Sequence, residues 1–188
     1  MTGPRTRRAL LRGSALALPL LAGCSLPSGD DGTTTPERYP LLEQTTLYLD
    51  PRVRLDLPSA VEHAGDAADA DIALLPVDPD IDPERAVEWL LDGTAVGVLG
   101  RPAHEFLLRV QTSDAADEAL GQGGYGVPSP PPHFQIGHVV RNDDGSGIVA
   151  TAGFSWGDLG EDELPNDDRV LGALEQFLTD RASETPTR

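Results

Sequence analysis

Lysine is absent from this chain, cysteine occurs once, and aromatic side chains make up only 5% of its 188 residues. With Cys24 as the single thiol, neither a disulfide framework nor a cysteine-ligated zinc or iron–sulfur site can form within one molecule. Basic patches are missing too, the longest basic feature after Cys24 being Arg52-Val53-Arg54. Nucleic-acid binding needs a cationic surface that displaces counterions from phosphates, so a nucleic-acid partner is excluded. The apolar stretch Ala15 to Ala22 would cover about 12 Å as a helix, far short of the ~30 Å hydrocarbon core, so it cannot be a permanent membrane span.

What the N-terminus does carry is a cluster of arginines followed by a short apolar run. Arg5, Arg7, Arg8 and Arg12, with no acid among the first 23 residues, form a basic region ahead of that short apolar run. Thr6-Arg7-Arg8-Ala9-Leu10-Leu11-Arg12 resembles the twin-arginine export motif. Leu21-Ala22-Gly23-Cys24 resembles a lipobox, which implies that residues 1–23 are removed and that Cys24 is lipidated as the first mature residue. If Arg7-Arg8 were instead the basic region of a general secretory signal, the lipobox reading would still hold. Lipidation also removes a lone thiol that would be open to oxidation in an exported protein.

Acids dominate the remainder. Loss of residues 1–23 removes four arginines and no acid, leaving 10 bases against 31 acids and taking the net charge from −17 to −21. A surface this acidic repels itself in dilute buffer, but at molar salt the Debye length is ~3 Å and the repulsion largely vanishes. The composition and both motifs together resemble exported lipoproteins of halophilic archaea. That resemblance implies a location on the outer face of the cell membrane, with membrane lipid contacted through Cys24.

Residues 24–40, rich in Gly, Pro, Ser and Thr, read as a lipidated cysteine and flexible tether with an r.m.s. span of about 20–24 Å. Residues 41–181 suit a single domain, and 182–188 a disordered tail. Within the domain, Thr45 to Leu49 has strand composition, and Pro58 to Ala70 reads as a modest helix with Val61, Ala64 and Ala68 on one face. Asp71-Ile-Ala-Leu-Leu-Pro76 is expected to be a strand buried on both faces. A helix capped by Asp82 and opened by Pro83 follows, stopping at Asp92-Gly93 before a second buried strand, Ala95 to Leu99. Pro102 to Thr112 is expected to be helical, burying Ala103, Phe106, Leu107 and Val110; a strand through Phe106, Leu108 and Val110 fits nearly as well, but Pro102 suits a first helical position and a strand already precedes it. Phe134 to Val140 and Gly147 to Ala152 form two strands joined by a turn at Asn142 to Gly147, and a last helix starts near Asp167. The alternation argues for an α/β fold: one three-layer domain, a mostly parallel sheet with helices on both faces, a C-terminal hairpin and a final helix.

The block from Ala70 to Gly100 and the closing strand–loop–helix are similar to class I glutamine-amidotransferase-like domains. The resemblance implies a flavodoxin-like fold. It does not imply glutaminase chemistry, because Cys24 lies outside the domain and the catalytic cysteine of that family is therefore missing.

Candidate chemistry is sparse. Gly153-Phe-Ser-Trp-Gly157 matches the nucleophile elbow and makes Ser155 the candidate nucleophile, yet no helix follows it closely and all four histidines precede it. Gly121-Gln-Gly-Gly-Tyr-Gly126 matches a dinucleotide fingerprint but runs into prolines instead of a helix. Asp78-Pro-Asp-Ile-Asp82 mimics the start of a calcium loop, with Pro83 where glycine is needed. His63 and His104 stand singly on expected helices, while His133 and His138 are five apart on an expected strand and face opposite ways; a metal site would need them to converge in space. No cofactor is implied. The expected role is a non-catalytic module binding a small ligand or another envelope protein; the alternative is an extracytoplasmic hydrolase using Ser155. In either case the place to look is the carboxyl end of the parallel strands.

Overall fold

The computed structural model describes residues 38–121, 130–142, 145–160 and 162–184. Arg7, Arg8, Cys24, most of the tether and residues 122–126 of the glycine cluster lie outside them. The elements are β1 (Thr46–Leu49), β2 (Glu62–His63), β3 (Ile72–Leu75), α1 (Pro83–Asp92), β4 (Ala95–Leu99), α2 (Ala103–Gln111), α3 (Asp114–Leu120), β5 (Phe134–Arg141), β6 (Gly147–Phe154) and α4 (Asp167–Glu184).

All six strands share one sheet in the order β2-β1-β3-β4-β5-β6. β1 pairs in parallel with β2 and β3, and β3 with β4. β5 then runs antiparallel to β4, and β6 antiparallel to β5. The α/β class expected from the alternation is therefore found, but the sheet is mixed where a mostly parallel one was expected. The C-terminal hairpin is as expected; the departure is that β5, reached from β4 through α2 and α3, enters the sheet antiparallel to β4. The hairpin turn is closed by Gly145, at φ 85°, whose amide donates to the Asn142 carbonyl at 3.0 Å.

Strand pleating sorts the core into two layers. On one face Leu47, Ile72, Leu74, Phe134 and Ile136 pack against Val170, Leu171, Leu174 and Phe177 of α4. On the other, Ala73, Leu75, Val96 and Val98 pack under α1, α2 and α3. Phe134 stacks on its cross-strand partner Phe154, ring centroids 5.7 Å apart. The middle of β4 is a glycine for that reason: a Cβ on Gly97 would lie 2.7 Å from Leu74 Cδ2 and 3.0 Å from Phe134 Cε2.

Several local expectations change. Pro58 to Ala70 is not a helix: the segment contains β2 and a short 3-10 turn, Ala67–Asp69. Its buried residues are Val61, Ala64, Ala67 and Ala70, while Ala68 is exposed. Here pairing beats a weak helical pattern that Gly65 interrupts. The Ala64 amide donates to the Leu47 carbonyl at 2.7 Å, and Asp66 caps the 3-10 turn by accepting from the Ala68 amide at 2.9 Å.

Asp82 precedes α1 in extended conformation, but its side chain caps nothing; its carbonyl accepts from the amides of Arg85 and Ala86. Gly93 ends that helix at φ 103°, the left-handed geometry glycine tolerates. α3, not anticipated, is capped by Ser113, whose hydroxyl accepts from the Ala116 amide at 3.2 Å. With only Ala116 and Leu120 buried on it, α3 leaves too short an apolar stripe to recognise.

Packing begins earlier than residue 41. Tyr39 is already buried in the α4-side core, Arg38 pairs with Asp168 at 3.1 Å, and both carboxylate oxygens of Glu175 accept from the Leu41 and Leu42 amides at 3.0 and 2.9 Å. A side chain of α4 thus supplies the acceptors for the first turn of the domain. At the other end, α4 continues to Glu184, past residue 181.

Candidate functional site

The chain leaves β1 for β2 on one side and then returns to place β3 on the other, so the β1 and β3 loops diverge at their carboxyl ends. Ligands of open α/β sheets bind at such a switch point. A cleft of about 380 Å³ opens there, lined by the β1 loop (Arg52 to Leu55), the β3 loop (Pro76 to Asp78), Leu99, and the approach to α4 at Leu164, Pro165 and Asp167. That volume falls within the ~300–1,000 Å³ of small-molecule sites.

Asp50 organises one lip. Its Oδ1 accepts from the Arg52 amide at 2.9 Å and from Arg52 Nε at 3.2 Å, bending the chain just after β1. Arg52 Nη1 also donates to the Asp78 carbonyl at 3.2 Å, tying the β1 loop to the β3 loop. The Asp50 side chain is only 13% exposed. Burial works against its ionisation, but the side-chain and backbone bonds from Arg52, with the guanidinium charge, hold its carboxyl below the ordinary range. The same contacts raise the pKa of Arg52. Because the folded-state value of Asp50 is depressed, its contribution is fully present above the ordinary value of 3.8 and is lost as pH falls through the lower folded value. Asp50→Asn is therefore expected to cost about 1–2 kcal/mol at pH 7. In urea titrations the gap between variant and wild type should close as pH falls below that value; a pH-independent gap would show that the charge is not responsible.

The floor of the cleft depends on Gly100, which follows β4 at φ 83°. Its amide donates to the His133 carbonyl at 2.7 Å, and a Cβ there would sit 2.6 Å from Val77 Cγ2. Glycine lets Val77 close over the strand end while 40% exposed, facing a Leu164 that is 50% exposed. The third wall is pinned by α4. Asn166 caps that helix through the Arg169 amide at 3.1 Å, and Asp167 Oδ2 accepts from the Asp56 amide at 3.1 Å, joining the helix to the β1 lip.

Apart from Asp78, the residues singled out from sequence lie elsewhere. Ser155 is exposed one residue past β6, the described chain between it and Asn166 contains no helix, and it does not line the cleft. His63 sits exposed on β2, in a strand where a helix was expected, and His104 Nδ1 lies 2.8 Å from the Arg101 carbonyl at the start of α2. His138 packs edge-on against Phe177 of α4, ring centroids 5.3 Å apart. His133 is 2% exposed, and its Nδ1 accepts from the Trp156 amide at 3.3 Å, which places the proton of the neutral ring on Nε2. Trp156 lies in turn under Arg169, whose guanidinium pairs with Asp158 at 2.5 Å and holds that carboxyl low. Of the Asp78 to Asp82 motif, Pro79 to Asp82 border a shallow polar hollow with Arg85, while Asp78 lines the cleft. Among the described residues no group of three or more His, Cys, Asp or Glu is placed to hold a metal ion.

In the sequence Arg52-Val53-Arg54 is only a basic feature, whose sole signal as a site is two cations after a strand in an otherwise acidic chain. The arrangement can hold an apolar body between hydrophobic walls with charged groups of both signs at the rim. It offers no nucleophile beside a base among the cleft residues. Comparison of the chain with protein-family models, with curated proteins and with solved structures finds no match.

Proposed function

We propose that this protein is a lipoprotein anchored to the outer face of the cell membrane through Cys24, exported by the twin-arginine route and adapted to high salt. Its α/β domain, on this reading, is a non-catalytic module that binds a small ligand at the switch-point cleft. The observation that carries the binding role is the cleft itself: walls from three separate loops, mostly apolar, with no nucleophile–base pair along them. The strand order β2-β1-β3-β4, with its cleft between β1 and β3, supports a flavodoxin-like core to which the antiparallel hairpin is an addition. It is also compatible with the likeness to amidotransferase-like domains lacking their cysteine. Among the described residues no helix is long and apolar enough to cross a membrane, so the anchoring argument rests on the lipobox.

Cell fractionation tests the anchor. The wild type is expected in the membrane fraction with a mature N-terminus at a lipid-modified Cys24, and Cys24→Ser in the soluble or secreted fraction. An unmodified mature chain beginning elsewhere, or a wild type that fractionates as soluble, would refute the proposal.

A further inference from the structure

Resting on the binding reading above, we propose that the cleft takes a small apolar zwitterion of the chemical class of a free hydrophobic α-amino acid. Its carboxylate is held by Arg54 and its ammonium by Asp78, with the apolar side chain between Val53, Val77 and Leu164.

The argument is one of charge complementarity. Arg52 is already committed to Asp50 and to the Asp78 carbonyl. Arg54 differs: its guanidinium makes one bond, to the Pro51 carbonyl at 3.3 Å, and no carboxylate pairs with it among the described residues. On the facing loop the Asp78 carboxylate accepts no hydrogen bond from the described residues, and Asp167 spends one oxygen on the Asp56 amide. Among the described residues the cleft thus offers one cation with no carboxylate partner and one anion that accepts no hydrogen bond, though it lies in the field of Arg52, at separate points of an apolar hollow.

A monocarboxylate would bring its charge toward Asp78 and Asp167 with nothing to offer them. A monoamine would meet Arg54 in the same way. A zwitterion satisfies both lips at once. High salt does not remove this preference, because screening over ~3 Å suppresses distant repulsion far more than direct charge-assisted hydrogen bonds. The volume, about 380 Å³, favours a single amino acid or a comparably small molecule over a chain that passes through.

Three probes with matched hydrocarbon bodies test the assignment: L-leucine, 4-methylpentanoate and 3-methylbutylamine, titrated into the full mature protein in molar potassium chloride by calorimetry. L-leucine is expected to bind at least about tenfold more tightly than either single-charge probe. Arg54→Gln should erase its advantage over the amine, and Asp78→Asn its advantage over the carboxylate. Val77→Trp, and independently Leu164→Trp, should block the cleft and remove binding. Equal affinity for L-leucine and one of the single-charge probes would overturn the proposal, as would wild-type affinity in both charge variants. The uncharged 3-methylbutanol separates the two levels of inference. If it binds in a manner that Val77→Trp blocks while L-leucine does not bind, the zwitterion proposal falls and the cleft remains a binding site. If neither binds, both fall.

Discussion

Gly97→Val is expected to destabilise the domain by about 3 kcal/mol, the upper part of the range for forcing extra methyl groups into a packed core. The reason is local and bidirectional. The β4 residue facing α4 at this point lies between Leu74 on β3 and Phe134 on β5, and the first added carbon would already stand 2.7 and 3.0 Å from them. Leu74 and Phe134 are fully buried, and Phe134 is stacked on Phe154, so neither can swing away without opening the layer under α4. Valine would recover some of the unfolded-state entropy that glycine wastes, roughly 0.5–1 kcal/mol, which is too little to offset the clash. Urea unfolding in molar potassium chloride should show a midpoint lower by about 1–2 M at unchanged slope. Coupling distinguishes this mechanism from a general intolerance: Phe134→Leu, destabilising alone, should cost less in the Gly97→Val background than in the wild type. Additive costs would mean that the ring does not occupy the space above Gly97.

The second large effect is that of salt. At a net charge of −21 for the chain without residues 1–23, on the order of 200 like-charge pairs act across the molecule, each worth roughly 0.2 kcal/mol at ~20 Å in water. Expansion on unfolding relieves part of that sum, so dilute buffer favours the unfolded chain; at molar ionic strength the ~3 Å Debye length leaves little to relieve. The thermal midpoint is therefore expected to rise by about 10 °C or more between 0.1 M and 2 M potassium chloride, corresponding to ~3 kcal/mol or more for a domain of this size. Exposed pairs such as Arg38–Asp168 and Arg85–Glu88 work in the opposite sense, since salt weakens them, but each is worth only about 0–1 kcal/mol. Equal midpoints at the two salt concentrations would contradict the reading of this surface as adapted to high salt.

Where the local code was strong, the sequence by itself determined the element. Asp71 to Pro76 and Ala95 to Leu99 are uniformly apolar runs between breakers, and both are strands buried on each face. After Pro102 the pattern fits a strand through Phe106, Leu108 and Val110 nearly as well as a helix; Pro102 at a first helical position and the strand just before it favour the helix, and in it Ala103, Phe106, Leu107 and Val110 are all buried. The terminal helix was legible from its apolar residues at helical spacing. Pro58 to Ala70 was not legible, because a short alanine-rich segment with Gly65 at its centre has almost no intrinsic preference; its shape follows from the free edge of β1, which Glu62 and His63 pair with. The β5–β6 hairpin was legible from the turn at Asn142 to Gly147, but the direction of β5 against β4 was out of reach, since an apolar strand reads the same whichever way it runs.

The cleft belongs wholly to the tertiary level. Asp50, Arg52 and Arg54 look like a turn with surface charges, and nothing in their spacing shows that the β3 loop and the start of α4 will stand opposite them. That juxtaposition is produced by strand order, which places β3 beside β1 after the excursion to β2, and by contacts spanning 26 and 111 residues, Arg52 to Asp78 and Asp56 to Asp167. Motifs such as the one around Ser155 are visible because they are contiguous. A cleft assembled from three distant loops becomes visible only once the sheet has brought them together.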